Sequence, residues 1–180
     1  RTSEIKSDKG SVRANELKRE GHKLASEYVN ASSPDVKTLT EGLKAYSKEE
    51  RKEVEKAVFS ILLSQISLPR DRNFEEKLET AKKGLAEVTG KAKKVNSIVD
   101  QIGRFFGQYL QYQDRIREQL KQQYEPQLKQ KQQELEKRYG QSIELEPEQD
   151  PEFNRILQQN FEQLDEQYQQ ALNQARDQLK

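Results

Sequence analysis

The chain has 180 residues and a net charge of +1, with 35% charged and 32% hydrophobic residues. That suits one domain, or one domain with an elongated appendage, and it lacks the strongly basic footprint of a dedicated nucleic-acid binder. The absence of cysteine excludes disulfides, thiolate chemistry and Cys-ligated metals, and no run reaches the roughly 20 apolar residues of a membrane span.

Leu, Ile, Val and Phe together number 40, above the roughly 20% level below which disorder becomes the default, so a folded but thin structure is expected. Glutamine divides the chain: one in residues 1–100, twenty-one in residues 101–180. The expected organisation is a frayed segment over 1–10, an N-terminal helical bundle over 11–100, and a Gln-rich helical hairpin over 101–180 with an acidic connector at 140–151.

In chain order, Ser11 to Asn30 reads as a weakly amphipathic helix with Gly21 as a soft spot. Ser33-Pro34 then supplies a cap and a first-turn proline for a short helix carrying Val36, Leu39 and Leu43. Ser47-Lys-Glu-Glu50 is a capping-box pattern that opens the most apolar helix, with Val54, Ala57, Val58, Ile61, Leu62 and Ile66 facing inward. Leu68-Pro69 ends it. Asn73-Phe-Glu-Glu76 opens a helix with Phe74, Leu78, Ala81, Leu85 and Val88 at helical spacing, and Thr89-Gly90 marks its end. From Lys91 to Tyr139 the apolar pattern continues past Pro126, which lies away from the stripe. Gly140 is a C-terminal cap, and Asp150-Pro151-Glu152 starts the last helix. The fold class is therefore all-α: a small N-terminal bundle continuing into a long, antiparallel two-helix hairpin, elongated overall. Val58, Ile61, Leu62, Leu78, Leu85, Val95, Ile98, Ile102 and Phe105 are expected in one core.

In the last helix Phe153, Leu157, Phe161, Leu164, Tyr168, Leu172, Ala175 and Leu179 follow steps of 4, 4, 3, 4, 4, 3, 4, read as an eleven-residue repeat. Folding this stripe back on the preceding helix matches residues whose numbers add to about 292: Tyr139 with Phe153, Leu128 with Leu164, Tyr124 with Tyr168. Lys131 then falls opposite Phe161. The glutamines sit mostly off the stripes as solvated helix surface.

Candidate sites are few. Ile102-Gly-Arg-Phe-Phe-Gly-Gln-Tyr-Leu-Gln-Tyr112 gathers Arg104, Phe105, Phe106, Tyr109 and Tyr112 around Gly103 and Gly107, which permit close approach of another backbone. It reads either as a packing junction with the N-terminal bundle or as a partner surface, because aromatic residues and Arg dominate binding hot spots. Lys82, Lys83, Lys91, Lys93 and Lys94 form a basic run suited to phosphate or anionic lipid, but no aromatics interleave for base stacking. Glu144, Glu146, Glu148, Asp150 and Glu152 make the connector acidic, without calcium-loop spacing. His22, the single histidine, has no partner at a telling spacing. The Glu49/Glu50/Glu53 and Glu75/Glu76/Glu79 groups read as solvated faces rather than metal ligands.

No catalytic, cofactor or metal set is expected. The function expected is a non-enzymatic helical interaction or scaffolding protein whose protein partner is not named by the sequence, with a homodimer also in view. Two alternatives are a holdase-like chaperone and a peripheral anionic-surface binder acting through Lys82–Lys94; nucleic acid is disfavoured. The chain begins at Arg1 and has no Met, so a removed targeting segment stays open, with the cytoplasm as the favoured compartment.

Overall fold

The computed structural model describes residues 2–180, with side chains from Lys9 onward. The first helix, expected from Ser11, begins instead at Thr2 and takes in residues 2–10 of the stretch expected to be frayed; of these only Lys9 and Gly10 have described side chains. The described elements are all helical: α1 (Thr2–Asn30), α2 (Lys37–Leu43), α3 (Lys48–Ser64), α4 (Phe74–Thr89), α5 (Ala92–Tyr139) and α6 (Pro151–Gln178), with a 3₁₀ turn at Pro147–Gln149. No strand occurs among the described residues.

Local chemistry sets the boundaries. Ser47 Oγ accepts from the Glu50 N–H at 3.3 Å, capping α3 as its sequence demands. Gly90 and Gly140 close α4 and α5 in the left-handed region, at φ 68° and 67°. At α2, Ser33 is displaced from its expected capping role: the helix begins at Lys37, whose N–H donates to the Asp35 carboxylate at 3.0 Å. Asn73 likewise makes no side-chain cap; its own N–H donates to Asp71 Oδ1 at 2.8 Å. Short polar side chains close together compete for one helix start, and spacing alone does not choose among them.

The chain divides into two compact units. The first contains the residues up to Arg104 together with Gln174–Lys180. Its α1 and α3 pack most closely at Gly21. A Cβ there would lie 2.6 Å from Ala57 Cβ and 2.7 Å from the Val54 carbonyl oxygen. Gly21 is therefore a helix–helix contact point rather than a soft spot. Tyr28, Leu39, Val54, Val58, Leu62, Ile66, Leu85 and Val95 are fully or almost fully buried. Of the expected core, Ile61 and Phe105 are only half-buried. On α3 the covered face runs through Val54, Ala57, Val58 and Leu62 with Leu63, leaving Ile61 at its margin. Phe105 falls in the second unit. Because Leu62 is 0% exposed, Leu62→Ala should destabilise the fold by about 2–5 kcal/mol in denaturant titration.

The second unit spans Phe105–Asn173. In it α5 and α6 run antiparallel: Tyr109 meets Tyr168 with ring centroids 5.2 Å apart, and Tyr124 meets Phe153 at 5.5 Å. The numbers of these pairs add to 277, so the expected register near 292 is corrected by fifteen residues. Leu145 of the connector packs with Leu120, Ile156 and Leu157 against a buried cluster of Tyr124, Leu128 and Phe153. The connector is thus part of the packing in this unit.

Candidate functional site

The seam of the second unit is built from polar clamps as much as from apolar contacts. The Tyr124 hydroxyl donates to Asp150 Oδ2 at 2.6 Å. Lys131 Nζ donates to the same carboxylate oxygen at 2.8 Å, to the Tyr124 oxygen at 2.7 Å and to Glu152 Oε2 at 2.8 Å. The other Asp150 oxygen accepts from the Glu152 N–H at 3.0 Å, so one carboxylate both caps α6 and ties it to α5. Asp150 is 6% exposed and is the one buried charged residue among those described. Burial alone would raise its pKa, but the hydrogen bonds from Lys131, Tyr124 and the Glu152 N–H hold it below the ordinary aspartate value. Hydrogen bonds from Lys131 also lower Glu152, while Asp150 leads the groups that raise Lys131.

A second clamp repeats the first. The Tyr109 hydroxyl donates to Asp165 and accepts from Gln113 Nε2 at 2.8 Å. Burial, then the hydrogen bond to Asp165, raises the Tyr109 pKa. Tyr109 and Tyr124 are fifteen residues apart, as are Asp165 and Asp150, Tyr168 and Phe153, and Leu172 and Leu157. Sequence reasoning tracked only apolar positions and took the period as eleven. The signal it missed is Asp-x-x-[Phe/Tyr]-x-x-x-Leu, present twice, at 150–157 across the start of α6 and at 165–172 within it. Fifteen residues in four turns is about 3.75 per turn, above the α-helical value, and implies right-handed winding of this seam.

The acidic connector is largely neutralised within its own unit. Glu148 pairs with Lys121 at 2.7 Å, and Asp150 and Glu152 share Lys131; Glu144 and Glu146 remain exposed. Lys131 does not lie along Phe161. Its ammonium sits 5.4 Å from the Tyr124 ring centroid, and Arg117 stands over Phe161 at 5.5 Å. The carboxylates whose pKa is lowered here, Glu148, Asp150 and Glu152, contribute stability above the ordinary carboxylate range. That contribution is lost as pH falls through their depressed values. Near-UV circular dichroism of the tyrosines should therefore hold steady from neutrality to about pH 4 and collapse below it, and Asp150→Asn should flatten the acid limb.

Three of the four aromatic residues singled out from sequence converge on one ring of α6. Phe105, Tyr109 and Tyr112 surround Tyr168, with centroids at 4.6, 5.2 and 6.2 Å. Phe106 and Tyr109 are buried; Arg104 and Tyr112 are exposed, with Arg115 over the Tyr112 ring at 5.6 Å. Neither glycine of this segment admits another backbone closely. A Cβ on Gly107 meets nothing within 4 Å, and one on Gly103 meets only the Leu78 side chain at 3.3 Å.

Of the basic run, Lys82 is engaged by Glu79 at 2.8 Å and Asp100 at 3.2 Å. Lys83, Lys91, Lys93 and Lys94 are exposed. Among the carboxylate groups, Glu50 binds Arg13 at 2.9 Å and Glu53 binds Lys56 at 3.1 Å. His22 is half-buried on α1. Among the described residues no group of three or more His, Asp or Glu is arranged to hold a metal, and no helix is long and apolar enough to cross a membrane.

Two clefts flank the seam of the second unit. One of about 140 Å³ is lined by Leu120, Tyr124, Phe153 and Ile156, and one of about 300 Å³ by Leu135, Arg138, Leu145 and Pro151 among others. In the first unit a cleft of about 230 Å³ lies among Val29, Pro34, Gln65, Asn73, Lys77 and Thr80.

The chain belongs to a family of unknown function (DUF6657), which matches residues 40–180 and so takes in both clamps. No curated protein and no solved structure matches the chain.

Proposed function

We propose that the protein is a non-enzymatic helical interaction or scaffolding protein, with the α5–α6 unit as the element that meets a protein partner. The observation that carries this reading is the way α5 and α6 are joined. Two Tyr–Asp hydrogen bonds tie them together in the register that the rings around Tyr168 select, while large side chains on the same unit stay open, Tyr112 at 45% and Tyr139 at 62% exposure. Fully satisfied polar contacts in a packed seam rigidify it. A pre-organised surface with aromatic anchors loses little freedom when a partner docks.

Affinity purification of the tagged chain from its native source, followed by light scattering of what is retained, tests the reading. Scaffolding predicts a dedicated partner in fixed stoichiometry, or a self-assembly at a defined multiple of 21.1 kDa. A monomer that retains no partner, yet suppresses aggregation of unrelated unfolded clients, would replace this reading with a holdase.

A second reading rests on Lys83, Lys91, Lys93 and Lys94, which are exposed and make no ion pair with the described residues. Anionic vesicles would bind through them with steep salt dependence, and the quadruple Lys→Gln variant would abolish it.

A further inference from the structure

The fifteen-residue spacing of α5 does not stop at two. Tyr139 stands fifteen residues beyond Tyr124, and Leu135 fifteen beyond Leu120, so α5 carries three tyrosine stations. At the first, Tyr109 holds Asp165 and packs on Tyr168; at the second, Tyr124 holds Asp150 and packs on Phe153. In each, the module supplied by α6 is Asp-x-x-[Phe/Tyr]-x-x-x-Leu. At the third station α6 has not yet begun, since it starts at Pro151, and Tyr139 is left 62% exposed. At its neighbour Arg138 opens the cleft of about 300 Å³ that includes Leu135, Leu145 and Pro151 together with Lys131, Glu134 and Asp150.

We infer that this third station is the docking site for a helix of another protein carrying the same Asp-x-x-[Phe/Tyr]-x-x-x-Leu module and running antiparallel to α5. The inference deepens the interaction reading above by naming the partner's chemistry. The docked helix continues the α5–α6 seam by one repeat, with its aromatic against Tyr139, its leucine against Leu135 and its Asp at the Tyr139 hydroxyl. Charge favours it. At the second station a cation, Lys131, stands 5.4 Å from the Tyr124 ring and binds the module's Asp. At the third, Arg138 stands 6.0 Å from the Tyr139 ring and lines the cleft. A guanidinium there suits a carboxylate ligand.

The occupant is not a second copy. Both α6 modules are engaged within each folded chain. The one further segment of this pattern, Asp71-Arg-Asn-Phe74 with Leu78, has Leu78 only 8% exposed in the first unit. A second copy would have to unfold to offer any of them.

The probe is a fluorescein-labelled synthetic peptide with the sequence of residues 165–179, titrated by anisotropy into the full chain. Saturable binding is expected at up to about 1 mM peptide-equivalent, weakened about tenfold or more by Tyr139→Ala and by Asp→Asn in the peptide. Gln111→Ala, at an exposed position of α5 with no part in the surface, should leave it unchanged. Because Tyr139 is exposed, its replacement leaves the fold intact, and circular dichroism checks this. Binding should also survive in a chain whose own hairpin is locked by a disulfide between cysteines at positions 120 and 157. No saturation, binding indifferent to Tyr139→Ala, or binding lost on locking (the peptide then merely displacing α6) would each overturn the proposal. If the peptide fails while the purified chain still retains a stoichiometric partner, only this docking site falls and the scaffolding reading stands.

Discussion

Gly21→Ala should destabilise the first unit by about 1–3 kcal/mol, and Gly21→Val by more, whereas Gly107→Ala should be neutral or stabilising by up to about 1 kcal/mol. Both glycines lie inside helices, where alanine is intrinsically favoured over glycine by about 1 kcal/mol, so propensity alone predicts a gain at each. Packing reverses the sign at one of them. A methyl at Gly21 would stand 2.7 Å from the Val54 carbonyl oxygen and 2.6 Å from Ala57 Cβ. A main-chain atom and a side chain with no rotamer to turn cannot give way, so α1 and α3 would have to separate. At Gly107 a methyl meets nothing within 4 Å. Urea unfolding of the two variants side by side measures the difference, and equal effects would show that the α1–α3 contact is looser than its geometry.

The sequence pointed to the wrong glycines for a physical reason. Gly103 and Gly107 stand four apart amid aromatic residues, the pattern of a close helix crossing, while Gly21 stands alone among charged residues. What makes Gly21 a contact is its partner, the small Ala57 on α3, and that pairing joins residues 36 positions apart. Elements written in local chemistry were legible: the Ser47 cap, the Gly90 and Gly140 terminations, and the Asp150-Pro151 start. So was the continuity of α5 through Pro126, because a proline on an exposed face removes one hydrogen bond without meeting a neighbouring helix. The aromatic segment was recognised as unusual. Its ring partner, Tyr168, was assigned instead to Tyr124, because long-range register is carried by which repeat of a stripe meets which.

That register is the least legible feature and has the sharpest test. Cysteines replacing Leu120 and Leu157 should form a disulfide readily, since their numbers add to 277, as do those of the Tyr124–Phe153 and Tyr109–Tyr168 contacts. Cysteines replacing Leu128 and Leu164 should not, because fifteen residues of offset separate those sites by roughly 20 Å along the helices. The chain has no native cysteine to confuse the outcome. Apolar matching cannot choose between the two, because a stripe that repeats every fifteen residues presents nearly the same leucines after a slip of one repeat. Even the clamps would re-form, as Tyr124 with Asp165 and Tyr139 with Asp150. The rings decide it. In the observed register Tyr168 contacts Phe105, Tyr109 and Tyr112 within 6.2 Å, each contact worth about 0.5–1.5 kcal/mol, and Lys131 bridges Asp150 to Glu152. The slip would strip Phe105 and Tyr109 of their ring partner and part Lys131 from Glu152. If the 128–164 disulfide formed as fast as the 120–157 one, those contacts would be too weak to hold the register, and Tyr139 would be a second seat for α6 rather than an open one.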